Sequence, residues 1–75
     1  MGQKGDDTMT IKEYAKAHNH GIVGKLTRHP EAEWYYEFGK RIQYKGYKVY
    51  LDEAQNEYSI NKHGVCIITA DGNVI

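Results

Sequence analysis

The sequence predicts an α+β domain in which one N-terminal helix packs on an antiparallel β-meander of about five strands. Two observations predict this class. Residues 10–19 combine helix-capping signals with apolar residues at helical spacing. Residues 34–51 alternate with period two and hold the only Trp, the only Phe and five of the seven Tyr, residue types that are enriched in strands.

The first eight residues are mainly Gly, Lys, Gln and Asp, a composition that cannot repay the entropy of ordering. We therefore expect a disordered leader over 1–8 and a single α+β domain over 9–75. Met9 is a candidate for the native start.

The predicted helix covers residues 10–19. Thr10 and Glu13 have the spacing of a capping box, in which each side chain bonds the other residue's amide. Asn19, His20 and Gly21 are expected to end the helix, with Gly21 able to take the left-handed conformation past the last turn. The apolar face holds Ile11, Tyr14, Ala15 and His18.

Residues 22–28 admit two interpretations. Ile22, Val23 and Thr27 are β-branched and Gly24 disfavours a helix, so a strand is the better interpretation. A second helix here would instead complete a helix-turn-helix. The choice separates the two functions considered below.

The remaining strands follow from alternation and turn residues. Trp34, Tyr36 and Phe38 share a face before a turn at Gly39–Lys40. Further strands are expected around 41–45, 47–51 and 58–60, with a polar loop over 52–56. Residues 65–70 are apolar on both faces, which predicts a central strand. Asp71-Gly72 predicts a tight turn, followed by a short returning strand at 74–75.

Composition restricts the functional classes. Ten basic and ten acidic residues cancel, and no apolar run approaches the roughly 20 residues that cross a bilayer. One cysteine excludes an internal disulfide and fits a reducing compartment. We expect a cytoplasmic protein that does not contact membranes.

Catalytic and metal-binding patterns are weak. Cys66 lies in an apolar run and is interpreted as a buried core residue, with the nearby His63 on the opposite face. No pair of His or Cys residues has the spacing of a zinc site. We expect neither an enzyme nor a cofactor.

The interleaving of aromatic and basic residues is the strongest functional signal. Strands at 41–45 and 47–51 would together present a face able to hold a partner. Its members are Lys40, Arg41, Gln43, Lys45, Lys48 and Tyr50. The plainer alternative is that these lysines keep an exposed strand face soluble. The predicted function is a non-enzymatic interaction module, of the size common in phages and mobile elements, that binds a protein partner or a second copy of itself.

A resemblance supplies the alternative. Thr10-Ile11 with Glu13, Lys25-Leu26 with Arg28, and Trp34 followed by Gly39, Arg41, Ile42 and Gln43 resemble the winged-helix excisionases of Gram-positive conjugative transposons. In that family a helix-turn-helix reads DNA and a β-hairpin wing contacts the backbone. The resemblance would place Lys25 and Arg28 on the recognition helix and Lys40 and Arg41 on the wing, and it implies a DNA-binding regulator.

Overall fold

The computed structural model describes residues 9–75, so the expected leader over 1–8 lies outside the described residues. Helix α1 spans Ile11–Ala17, and a short 3-10 helix spans Pro30–Glu33. Six strands follow the helix in chain order: β1 Thr27–Arg28, β2 Trp34–Glu37, β3 Lys40–Gln43, β4 Lys48–Leu51, β5 Glu57–Asn61 and β6 Gly64–Ile68. The predicted α+β class with an N-terminal helix is confirmed.

The predicted capping box starts the helix. The Thr10 amide donates to the Glu13 carboxylate at 2.8 Å, and the Glu13 amide donates to the Thr10 hydroxyl at 3.1 Å. The stop differs from expectation, because Asn19 rather than Gly21 takes the left-handed conformation, with φ +54°. The His20 amide then donates to the Ala15 carbonyl at 2.8 Å, which closes the last turn as in a Schellman motif.

The strands divide into two sheets. A four-stranded antiparallel sheet has the order β1-β4-β5-β6, and β2 and β3 form a separate hairpin. Helix α1 covers one face of the larger sheet, where Ile11 and Ala15 pack with Tyr58 and Ile67. Residues on this face are spaced by two along β5 and β6, as strand periodicity requires.

One prediction about the sheet is wrong. Residues 65–70 were expected to form a central strand, but β6 lies at the edge of the sheet, with a single bridge from Ile68 to Val74 beyond it. Of its residues only Ile67 is buried. The central positions go to β4 and β5, and β1 pairs with only two residues of β4 at the opposite edge.

Residues 22–28 are not helical, but the strand interpretation holds only for Thr27 and Arg28, which form ladder pairs with β4. Neighbouring backbone groups bond to the loop after β4. The Lys25 amide donates to the Glu53 carboxylate at 2.9 Å, and the Glu53 amide donates to the Val23 carbonyl at 2.9 Å. Gly24, with φ +68°, lies against the Glu53 side chain, where a Cβ atom would collide with it.

The Asp52 carboxylate fixes this arrangement. It is 3% exposed and accepts hydrogen bonds from five donors: the amides of Val23, Ala54 and Asn56, the Asn56 side chain and the Tyr58 hydroxyl. Burial raises the pKa of the carboxyl, but hydrogen bonds from Asn56, Tyr58 and the backbone outweigh burial and hold the pKa well below its usual range. One side chain therefore joins segment 22–26, the β4–β5 loop and the core.

We predict that Asp52→Asn lowers the free energy of unfolding by about 2–4 kcal/mol at neutral pH, because an amide cannot accept all of these hydrogen bonds. The folded pKa lies below that of the unfolded chain. The contribution of the carboxylate is therefore present above about pH 5 and is lost as the pH falls below about 4.

Urea unfolding from pH 7 to pH 2 tests this. The difference between wild type and Asp52→Asn should shrink with acid. The exposed Asp71→Asn is the control and should stay within about 0.5 kcal/mol of wild type. A difference that does not change with pH would contradict the assignment.

Candidate interaction surface

The β2–β3 hairpin stands apart from the four-stranded sheet. Its register pairs Trp34 with Gln43 and Tyr36 with Arg41, so these four side chains share one face, called here the Trp34 face. The other face carries Tyr35, Glu37, Lys40 and Ile42. Among residues 9–75, neither strand pairs with the larger sheet.

Glu33 holds the base of the hairpin. Its side chain is 2% exposed and forms a two-pronged salt bridge with Arg28, at 2.6 Å to Nε and 2.8 Å to Nη2. The same carboxylate accepts the Val49 amide at 3.0 Å, while the Glu33 carbonyl accepts the Tyr44 amide at 2.9 Å. The hydrogen bonds from Arg28 lower the pKa of Glu33 despite its burial.

The Trp34 face is aromatic and cationic. The Arg41 guanidinium lies 4.2 Å from the centre of the Trp34 ring, a cation–π contact that orders both side chains. A long contact of 3.9 Å joins Arg41 to the exposed Glu31. Tyr36 is 74% exposed beside them. The face therefore offers the Trp34 ring, held by Arg41, beside the exposed ring of Tyr36.

Three tyrosine rings in tilted contact stiffen the return of the hairpin toward the sheet. The Tyr35 and Tyr44 rings lie 4.5 Å apart, and the Tyr44 and Tyr47 rings lie 5.1 Å apart. This row of three rings runs from β2 to the segment that precedes β4. It supports the hairpin in the absence of ladder pairing to the larger sheet.

Phe38 occupies the tip of the hairpin in an unfavourable position. Phe38 and Gly39 have φ values of +51° and +77°, the signs required by a type I′ turn, whose favoured residues are Asn-Gly or Asp-Gly. A bulky residue with positive φ is a backbone outlier. The ring is also 96% exposed, so almost none of its apolar surface is buried within the monomer.

The six residues predicted to form one binding face are separated. Arg41 and Gln43 lie on the Trp34 face and Lys40 lies on the other face of the hairpin. Lys45 lies in the turn after β3. Lys48 and Tyr50 are on β4, in the other sheet. The predicted continuous face is wrong because β3 and β4 are not neighbours.

The predicted DNA contacts also change. Residues 22–28 are not helical, so Lys25 and Arg28 do not lie on a recognition helix. The Arg28 guanidinium is held by Glu33 and lies 5.9 Å from the Tyr50 ring. The helix-turn-helix that the excisionase resemblance implied is therefore absent from the described residues.

Two structural carboxylates were missed by sequence reasoning. Asp52 was expected in a polar loop over 52–56 and no role was predicted for Glu33, but both side chains are buried. An Asp at the start of a turn is a known signal for bonding to nearby amides. No local signal shows that Glu33 would reach the amide of Val49, sixteen residues away.

Cys66 is half-exposed rather than buried. It lines a shallow depression together with His63 and Ser59, because His63 belongs to the turn before β6 and does not follow strand alternation. Its carbonyl accepts the Ser59 hydroxyl at 3.4 Å.

Comparisons with protein-family models, with curated proteins and with solved structures give no match to this chain. Within residues 9–75, no helix is both long enough and apolar enough to cross a membrane. In the same part of the chain, no three His, Cys, Asp or Glu side chains come together as a metal site. Function is therefore inferred from the chain's own geometry.

We predict that Phe38→Asn raises the free energy of unfolding by about 0.5–1 kcal/mol, because Asn tolerates positive φ and Asn-Gly is a favoured pair for this turn. Urea unfolding followed by Trp34 fluorescence measures the change. The matched control is Tyr36→Asn, which removes a neighbouring exposed ring at a strand position and should give no gain. A lower stability for Phe38→Asn would mean that the ring contributes to the fold.

Proposed function

We propose that the protein is a non-enzymatic interaction module whose contact surface is the aromatic hairpin, defined as the Trp34 face together with Phe38. The partner is a protein or a second copy of the chain. The observation that carries this proposal is Phe38, a ring that is 96% exposed in a backbone conformation that disfavours it. Strained backbone positions cluster at functional sites, where the strain is part of the mechanism.

The chemistry of the surface supports protein recognition. Aromatic residues and Arg are enriched in protein interfaces, where they act as rigid anchors that lose little entropy on binding. Trp34 and Arg41 are already ordered by their 4.2 Å contact. Tyr36 and Phe38 add exposed rings toward the tip. An apolar pocket on a partner could bury all of them without rearranging the backbone.

Nucleic acid binding has less support. The chain has a formal net charge of zero, so no overall field attracts a phosphate backbone. The basic residues of the predicted binding face are divided between two sheets and a turn. The guanidinium of Arg28 is already held by Glu33.

Site-specific photo-crosslinking in cells that make the protein tests the proposal. A photoreactive phenylalanine analogue at position 36 or 38 should capture the same protein, whereas the analogue at the exposed turn residue Asp71 should not. The captured protein, or a second copy of the chain, should then bind the purified wild type and lose at least tenfold in affinity for Phe38→Asn. Because Phe38→Asn is expected to be at least as stable as wild type, misfolding would not explain a loss of affinity.

Two results would overturn the proposal. One is the same capture pattern from positions 36, 38 and 71, because then the hairpin would select nothing. The other is binding to duplex DNA that weakens steeply with salt and survives Phe38→Asn, because phosphate contacts and not aromatic rings would then carry recognition.

A further inference from the structure

The outer edge of β3 presents unpaired backbone groups. At the base of the hairpin the Tyr44 amide bonds the Glu33 carbonyl at 2.9 Å, and this pair continues the register of β2 and β3. Bonded and unbonded pairs alternate in an antiparallel ladder. Counting in steps of two from the base, the amides and carbonyls of Arg41 and Gln43 point away from β2. Among residues 9–75, no backbone hydrogen bond outside the ladders uses these groups.

β3 is also the more accessible strand of the hairpin. Three of its four residues are exposed, all but Ile42, whereas Trp34 and Tyr35 of β2 are half-buried. Within the described chain, β3 pairs with no strand except β2. A two-stranded hairpin is marginally stable, and a row of unpaired amides and carbonyls is a template for a further strand. The edge therefore suits an extended peptide segment.

Cations line this edge. Lys40 and Arg41 lie on β3 and Lys45 follows it, and all three are exposed. Two acids are near: Glu37, opposite Lys40 on β2, and Glu31, 3.9 Å from Arg41. The three cations outnumber these acids. A second β3 would bring three more cations to the same edge, so charge disfavours self-pairing and favours a strand that carries acidic residues.

We propose that the partner adds a strand to the hairpin: an extended, acidic segment of another protein pairs antiparallel with the outer edge of β3 and places a Glu or Asp directly opposite Arg41. This inference rests on the proposed function of the hairpin and specifies the kind of segment that it binds. The acidic residue exchanges both backbone hydrogen bonds with Arg41, so its side chain lies on the Trp34 face beside the guanidinium. The residues on either side of it turn to the other face, where Ile42 favours an apolar neighbour.

The probe is a capped peptide of alternating Glu and Val, about six residues long. Trp34 fluorescence measures its binding to the full chain, and we expect a dissociation constant on the order of 0.3 mM. N-methylation of the Glu amides removes the donors that face β3, whereas N-methylation of the Val amides removes only donors that face away from it. The first peptide should bind at least tenfold more weakly than the second, although the two have the same composition and charge.

Amide hydrogen exchange locates the added strand. In the free chain the amides of Arg41 and Gln43 should exchange rapidly, because neither has an acceptor. Saturating peptide should slow both at least fivefold. The Tyr36 amide is the control, because the same alternation points it outward from the other edge of the hairpin, and its exchange should not change.

Two variants test the edge from the side of the protein. Gln43→Pro removes one outward donor and leaves the ladder with β2 intact. Gln43→Thr loses the same side chain and keeps the amide. The Pro variant should bind the unmodified peptide at least fivefold more weakly than the Thr variant, with urea unfolding to verify that both are folded. The two methylated peptides are compared on wild type, so that comparison does not depend on the folding of a variant.

Four results overturn strand addition. They are no binding of the unmodified peptide up to roughly 5 mM, equal binding of the two methylated peptides, equal binding by the Pro and Thr variants, and slow exchange of the Arg41 and Gln43 amides in the free chain that speeds up on dilution. Equal binding of the methylated peptides would mean that charge alone attracts them, and the dilution effect would identify a second copy as the occupant.

The proposed function is tested separately. A protein that crosslinks to positions 36 and 38 and binds Gln43→Pro as tightly as Gln43→Thr would overturn strand addition and leave the hairpin as the contact surface.

Discussion

The Glu33 carboxylate takes the place of a strand. Val49 turns its amide and its carbonyl toward β1, and the carbonyl accepts the His29 amide at 2.7 Å. The next acceptor that β1 would supply is missing, because the chain turns away through Pro30. Glu33 accepts the Val49 amide instead, at 3.0 Å, and bonds Arg28 at the end of β1. A buried backbone donor is thereby satisfied without extending the sheet.

The position of the hairpin follows from this use of a side chain in place of a strand. Once Glu33 closes the edge of β4 there, β2 and β3 have no access to that sheet and pair with each other. The Glu33 carbonyl also receives the Tyr44 amide, so the same residue anchors both ends of the hairpin. The Asp52 carboxylate similarly holds segment 22–26, because it accepts the Val23 amide. Two buried carboxylates thus hold a thin fold together and leave the aromatic rings of the hairpin available for contact.

Local patterns in the sequence predict local structure and fail where distant groups decide. The capping box at Thr10, the alternation of Trp34 and Tyr36 and the turn at Asp71-Gly72 depend on neighbours in the chain, and each is observed. The pairing of Arg28 with Tyr50 joins residues that are far apart in the chain, and no local pattern predicts it. Acidic residues in turns are usually solvated, so the burial of Glu33 had no local signature. The predicted binding face was wrong because it assumed, from chain order alone, that β3 and β4 were neighbours in one sheet.

Amide hydrogen exchange of Val49 tests the role of Glu33 most directly. In Glu33→Ala we expect the Val49 amide and the hairpin amides to lose protection while those of β5 and β6 keep it, and the stability to fall by about 1–3 kcal/mol, since a buried donor loses its acceptor. Glu31→Ala, which removes an exposed carboxylate two residues earlier, should leave all of them unchanged. Full protection of Val49 in Glu33→Ala would contradict the account.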